Sequence, residues 1–292
     1  MSRRNRSLQD KVVFITGAAR GIGAQTAREV AARGAKVALV GLEPQELAAV
    51  AAELGDGHVW FEADVTDQAS LDAAVTGAVQ RLGGIDVVVA NAGVAAYGTV
   101  RTIDPDAFAR TVEINLTGVF RTVRAALPRV IERKGYVLVV ASLASFTPLG
   151  GLSAYTASKA GAESFTRALK MEVAHLGVDV GSAHPSWIDT DMVRGAEHDL
   201  PAFKELRGKL PWPANSTTTV RDCGRAFAEG IEKRAARVYV PRSIAVASAV
   251  RASISSPIGD FVTRRMAGKL VPRLEDEVRA LGRSFGRHVP RS

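Results

Sequence analysis

Tyr155 and Lys159 stand four residues apart, and Ser142 lies thirteen residues before the tyrosine. Four-residue spacing on a helix puts two side chains on one face. A phenol normally loses its proton near pKa ~10. A neighbouring ammonium favours the phenolate and brings that value down. A phenol tuned in this way exchanges a proton with an alcohol or carbonyl oxygen near neutral pH. A serine hydroxyl can hold the same oxygen. Taken alone, Tyr and Lys at this spacing are an ordinary helix-surface pair. The upstream serine and a glycine-rich turn near the N-terminus favour acid/base chemistry at a carbon–oxygen bond.

The flanking elements place these groups. Tyr136–Ala141 reads as a strand that delivers Ser142, and a Gly/Pro loop leads into a helix carrying Tyr155 and Lys159 toward Gly177. Near the start, Lys11–Thr16 is a β-rich run, followed by Gly17-Ala-Ala-Arg-Gly-Ile-Gly23 and a helical stretch to Arg33. Strand, glycine turn and helix form a phosphate cradle: glycines admit a pyrophosphate close to the backbone, and the helix start offers N–H donors. The glycine spacing differs from the Gly-x-Gly-x-x-Gly fingerprint. Further strands read at Lys36–Val40, His58–Ala63, Ile85–Ala90, Val178–Ala183 and Arg237–Val240, alternating with helices that include Pro44–Leu54, Ser70–Leu82, Asp104–Arg133 and Val220–Lys233. This alternation implies an α/β fold of Rossmann type, a doubly wound parallel sheet of about seven strands with helices on both faces.

The net charge is +8, and it is unevenly placed. Residues 242–292 carry ten Arg/Lys against four Asp/Glu, and residues 1–10 carry three Arg against one Asp. The middle is neutral, which excludes a nucleic-acid-binding core. The single Cys223 excludes an internal disulfide framework and a cysteine-based zinc site, and no metal site is expected. No apolar run reaches signal-peptide or membrane-spanning length, so a cytoplasmic protein is expected.

With these residues in view, the chain resembles the short-chain dehydrogenase/reductase family. Thr16–Gly23 resembles the family's cofactor loop, Asn91-Ala92-Gly93 its fourth-strand motif, and Asn115, Ser142, Tyr155 and Lys159 its catalytic tetrad. The resemblance covers roughly residues 8–241. It implies an NAD(P)-dependent oxidoreductase that interconverts a secondary alcohol and a ketone. Tyr155 would be the general acid/base. Lys159 would lower its pKa and bind the nicotinamide ribose. Ser142 would orient the substrate oxygen, and Asn115 would hold a relay water. Gly17, Arg20, Gly21, Ile22 and Gly23 would cradle the pyrophosphate, while Asp64 and Val65 would border the adenine. Asn91, Ala92 and Gly93 would line the cleft, with Pro185, Ile188 and Thr190 around the nicotinamide. Two departures stand out. Pro185-Ser186 replaces the usual Pro-Gly. Gly41 and Leu42 occupy the second-strand end, where NAD-preferring members carry Asp and NADP-preferring members often carry Arg. Arg20 favours a 2′-phosphate and NADP; Glu43 accepts from ribose hydroxyls and repels that phosphate. The balance favours NAD.

The domain is expected at 1–241, with 191–219 a substrate lid and 242–292 a basic, amphipathic helical extension. The lid's Pro201, Pro211 and Pro213 break the α/β rhythm, and Trp187, Phe203 and Trp212 suit a bulky, lipophilic alcohol or ketone. The extension reads as two helices, one with Val246, Val250 and Ile254, the other with Ile258, Val262, Met266 and Leu270. Their stripes are expected to pack on the domain or a second subunit, ahead of a membrane-surface contact. Ala162, Phe165, Leu169 and Val173 on the Tyr155 helix predict a homodimer or homotetramer. The rival readings are a dinucleotide-sensing regulator and a membrane-surface scaffold; an intact tetrad argues against the first.

Overall fold

The computed structural model describes residues 7–147, 149–210, 212–249 and 257–286. Seven strands form one sheet: β1 (Val12–Thr16), β2 (Lys36–Gly41), β3 (Val59–Glu62), β4 (Val87–Ala90), β5 (Tyr136–Val140), β6 (Asp179–Pro185) and β9 (Arg237–Val240). Their order is β3-β2-β1-β4-β5-β6-β9, with every pair parallel. The order reverses between β1 and β4. In such sheets a ligand crevice opens at this switch point, beyond the strands' carboxyl ends.

The central strands are buried on both faces, so their sequences are continuous apolar runs. Along β1, Val13 and Ile15 enter one core and Phe14 the other. The first core is covered by α1 (Gly21–Ala31), α2 (Pro44–Leu54) and α9 (Val220–Glu232). The second is covered by α3 (Gln68–Leu82), α5 (Gly118–Glu132) and α6 (Ser153–Val173). Burying each Val or Leu side chain contributes about 1.5–3 kcal/mol, and this drives the helices onto the sheet.

Several expectations need correction. Asp104–Arg133 is not one helix: α4 (Pro105–Val112) and α5 are joined by a π-helical segment, Glu113–Thr117, which contains Asn115. Ala162, Leu169 and Val173 lie in the chain's own second core with Phe165 packed against it. That stripe is satisfied within the chain; the large apolar residues left exposed on α5 and α6 are Phe120 and Met171.

The stretch 191–219, expected as a lid, is mostly helical. It is closed at its base by a short parallel pair, β7 (Trp187–Ile188) with β8 (Thr217–Thr218), and carries α7 (Asp191–Asp199) and α8 (Pro201–Gly208). In the extension, α10 (Ile244–Ala249) buries Ile244 and Ser248 and leaves Val246 exposed, contrary to the expected stripe. Val250 and Ile254 lie outside the described residues, as do the side chains of Ile258, Val262 and Met266. A single long helix, α11 (Pro257–Leu281), follows. Among its described side chains the buried apolar stripe is Leu270, Leu274 and Val278, which continues beyond the residues named from the sequence. Among the described residues, no helix is long and apolar enough to cross a membrane.

Candidate active site

Ser142 sits where β5 ends, in extended backbone, and opens a single 3-10 turn, Leu143–Ser145. Its Oγ accepts from the Ala144 amide at 3.1 Å, and Ser145 Oγ in turn accepts from the Ser142 amide at 3.2 Å. Ser145 Oγ also donates to the Lys159 carbonyl at 3.0 Å, which ties the turn to α6. A buried chain supports Ser142 from below. The carbonyl of Ser142 accepts from His184 Nδ1 at 3.2 Å, and His184 Nε2 lies 3.0 Å from Ser182 Oγ and 3.2 Å from Glu163 Oε2. The imidazole stacks on Tyr239 and tilts against Phe146. Burial pushes the Glu163 carboxyl up, but the His184 and Ser182 side chains and the Arg237 charge together outweigh it and hold the group below its usual range. Nothing local in the sequence marks Glu163 and His184 as partners, because they meet through the packing of α6 on β6.

Tyr155 and Lys159 project from the first turns of α6 as the spacing required. Lys159 is buried, and its Nζ donates to the Val140 carbonyl at 2.8 Å. It lies 5.9 Å from the centre of the Tyr155 ring. Burial lowers the Lys159 pKa to about 8. Burial also pushes the Tyr155 phenol up, and the opposing pull is a hydrogen bond with Ser142. The expectation that Lys159 brings the phenol down is therefore corrected: desolvation of the phenolate dominates in this arrangement.

Asn115 is fully buried. Its Oδ1 accepts from the Val94 amide at 2.9 Å, while its Nδ2 donates to the Val94 carbonyl at 2.8 Å and to Ser158 Oγ at 3.0 Å. The π-helical segment turns this amide inward, and one side chain then joins the chain after β4 to α6. Single π-helical turns inside α-helices are frequent at functional sites.

Around the switch point lies a cleft lined by Gly17, Arg20, Gly21, Ile22, Glu43, Asp64, Val65, Asn91, Ala92, Gly93, Tyr155, Lys159, Pro185 and Thr190. Its glycines fit a dinucleotide. Gly17 has φ +63°, and a Cβ there would stand 2.8 Å from Ala92 Cα. A Cβ on Gly23 would stand 2.1 Å from the Gly17 carbonyl oxygen. Gly23 therefore shapes the turn from inside α1 without lining the cleft. Asn91 Nδ2 donates to the carbonyls of Thr16 and Gly17 at 2.9 and 3.1 Å, fixing the turn to the end of β4. Arg20 pairs with Glu43 at 2.9 Å, and Glu43 Oε2 accepts from the Leu42 amide. Ile188 is buried in the first core and does not line the cleft; Thr190 does. The sequence reading missed Arg110, whose Nε is buried with no hydrogen-bond partner, and Ile114, Asp191 and Met192. Arg110 lies five residues before Asn115, and only the α4 crossing brings it to the cleft.

Tyr155 also borders a second pocket. Ser142 lies in its wall, and the rest is mostly apolar: Tyr97, Leu143, Leu149, Leu152, Trp187, Met192, Val193, Phe203 and Leu210. The Phe203 ring meets Trp187 edge-on at 5.6 Å and Tyr97 at 6.3 Å. Trp187 Nε1 donates to the Ala214 carbonyl at 2.6 Å. Trp212, grouped with these aromatics from the sequence, is exposed. Ser186, which departs from the family pattern, lines this pocket, not the cleft; its amide donates to the Val240 carbonyl and its Oγ is buried without a partner.

Comparison with known families accords with this geometry. Residues 11–201 match the model of the family described as short chain dehydrogenase. The chain belongs to the short-chain dehydrogenase/reductase family. It is 36% identical over 204 residues to a trans-4-hydroxycyclohexanecarboxylate dehydrogenase of Sinomonas cyclohexanicum, covering 67% of this chain and 79% of that one. It is 33% identical over 211 residues to a 3-alpha-(or 20-beta)-hydroxysteroid dehydrogenase of Mycobacterium bovis, covering 72% and 80%. Among solved structures, a 3-ketoacyl-(acyl-carrier-protein) reductase from Brucella melitensis in complex with NADH superposes with a TM-score of 0.72 at 29% identity. That match covers 80% of this chain and 98% of the other. As a member of this family the chain is an oxidoreductase acting on CH–OH groups, and the family uses NAD(P).

Proposed function

We propose that this enzyme interconverts a bulky, lipophilic secondary alcohol and its ketone, with Tyr155 as general acid/base and NAD as the preferred cofactor. The observation that carries the reading is the position of Tyr155, which borders both the dinucleotide cleft and the apolar pocket. A bound nicotinamide dinucleotide supplies or accepts the hydride. In ketone reduction the Tyr155 hydroxyl donates its proton to the carbonyl oxygen, and in alcohol oxidation the phenolate takes one up. Ser142 holds the same oxygen by a hydrogen bond. Lys159 holds the nicotinamide ribose, and Asn115 orders the water that returns the proton. The Arg20–Glu43 pair supports NAD: Glu43 occupies the guanidinium that would otherwise meet a 2′-phosphate, and its own charge repels one.

The apolar walls favour a bulky substrate, since a small polar one leaves such surfaces poorly used. Relatives named for a hydroxysteroid and a hydroxycyclohexanecarboxylate point the same way, to an alicyclic or comparably large alcohol. The test is a panel of secondary alcohols of rising size, from 2-butanol to 2-dodecanol together with cyclic and steroid alcohols, followed by nicotinamide absorbance. The kcat/KM is expected to rise with apolar size, and Tyr155→Phe to remove turnover while leaving NADH affinity intact. A flat series, or turnover surviving in Tyr155→Phe, refutes the reading. We also infer association through α5 and α6, where Phe120 and Met171 are exposed; a monomer by light scattering at micromolar concentration would overturn it.

A further inference from the structure

Three of the segments that line the apolar pocket are held from outside by α11 and the residues just after it. The first wall is α8, which carries Phe203. Its N-cap residue, Leu200, offers no side-chain acceptor, and Pro201 has no N–H, so Ala202 is the first amide in need of a partner. Glu277 supplies it: both carboxylate oxygens accept from the Ala202 amide, at 3.1 and 2.9 Å. Arg273 pairs with Glu205 on the same helix at 2.6 Å, and Arg283 pairs with Asp199 just ahead of it. An isolated helix of eight residues is marginal in water, so α8 depends on these partners.

The second wall is the segment after β4, which carries Tyr97. Glu275 is buried and accepts from Thr99 Oγ1 at 2.7 Å. The Ser284 carbonyl accepts from the Tyr97 amide at 2.7 Å, and Ser284 Oγ accepts from the Asp104 amide at 3.1 Å. Ala96 and Phe285 form an antiparallel bridge. The third wall is the loop just before Tyr155. A Cβ on Gly151 would lie 2.2 Å from Leu274 Cδ2, and one on Gly150 3.2 Å from Val271 Cγ2. The glycine pair leaves the space that α11 fills. Among the described residues none of α11 lines the pocket. It stands one layer behind, in the cluster that joins Leu274 and Val278 to Tyr97, Leu152, Leu200 and Phe203.

We propose that the C-terminal helix is a clasp that sets the width of the substrate pocket, with Glu277 and Leu274 as positioning residues. Discrimination by substrate bulk then depends on residues beyond 201, where the family match ends. The proposal rests on the apolar pocket being the substrate site. Loosening the clasp lets α8 and the Tyr97 segment move apart, which weakens large substrates that touch both and leaves small ones held at Ser142 and Tyr155.

The experiment uses the full chain with Glu277→Ala, Glu277→Gln and Leu274→Ala, and reads two quantities. Hydrogen exchange over residues 202–206 reports the clasp without any turnover. Glu277→Ala is expected to speed it by about fivefold, the factor for loss of a typical helix cap, while Glu277→Gln keeps an acceptor for the Ala202 amide and restores the wild-type rate. Kinetics on 2-butanol and 2-decanol report the consequence. In Glu277→Ala and Leu274→Ala, KM for 2-decanol is expected to rise about fivefold with kcat, KM for 2-butanol and NADH affinity unchanged. Unchanged exchange in Glu277→Ala overturns the clasp. Faster exchange with equal effects on both alcohols overturns its role in selection. If the wild-type protein oxidises no alcohol at all, the proposed function fails, and the exchange measurement still decides the clasp.

Discussion

Asn115→Ala removes one side chain that makes three hydrogen bonds, and its cost is calculable. The substitution strands the Val94 amide and the Val94 carbonyl, while Ser158 Oγ keeps its bond to the Tyr155 carbonyl. A polar group left without its partner in a buried site costs about 1–3 kcal/mol. Val94 is only partly buried, so each group is set at the low end, and the sum is about 2 kcal/mol. For a chain of this size that lowers Tm by roughly 4–8 °C. The same loss frees the segment after β4 from α6, which carries Tyr155, and a misplacement of about 1 Å at a reacting group costs on the order of 100-fold in rate. Differential scanning calorimetry and steady-state kinetics on the same preparation read both. A melting temperature within about 2 °C of wild type would refute the structural reasoning, even if turnover fell, and would leave Asn115 only its proposed part in the proton relay.

Three further outcomes are expected. Gly23→Ala places a methyl against the Gly17 carbonyl oxygen; the overpacking costs about 1–3 kcal/mol and should weaken NADH binding roughly ten- to hundredfold, so an unchanged affinity by fluorescence titration contradicts the cradle. Glu43→Ala removes the ion pair with Arg20 and the repelling charge, so the NADP/NAD affinity ratio should rise severalfold, on the scale of an exposed ion pair, about 0.2–1 kcal/mol; competition titration reads it, and a constant ratio assigns the preference elsewhere. The pH profile follows from burial. With the phenol raised, Tyr155 keeps its proton at neutral pH, so alcohol oxidation, which needs the phenolate, should climb with pH. Ketone reduction should hold level and then lose kcat/KM above about pH 8, where Lys159 gives up its proton; a reduction profile still level at pH 9 would show that the Lys159 charge is not required.

What the sequence by itself determined is whatever depends on near neighbours. The strands are apolar runs of local origin, the Gly17–Gly23 turn sits between a strand and a helix, and Ser142, Tyr155 and Lys159 belong to one strand–loop–helix unit. Each could be read because the physical cause, burial on both faces or one turn of helical spacing, lies within about twenty residues. The cleft then followed from the parallel order, because strand ends at a switch point must form it.

Only the tertiary structure decided the rest. The sign of the Tyr155 shift turned on how much protein surrounds the phenol, and a four-residue spacing carries no information about desolvation. The Asn115 amide turns inward because a π-helical segment interrupts a stretch whose apolar pattern reads as one helix. Glu163 and His184 meet beneath Ser142 across 21 residues of sequence, and Arg110 reaches the cleft through the crossing of α4. Trp187 and Phe203 face the pocket while Trp212 faces solvent, a difference of packing between residues of the same apolar type. Glu277 caps a helix that begins 76 residues earlier in the chain. A cap normally comes from the residue just before the helix, so a pattern search looks at Leu200 and finds none; the acceptor arrives only when the C-terminal helix folds back over the pocket.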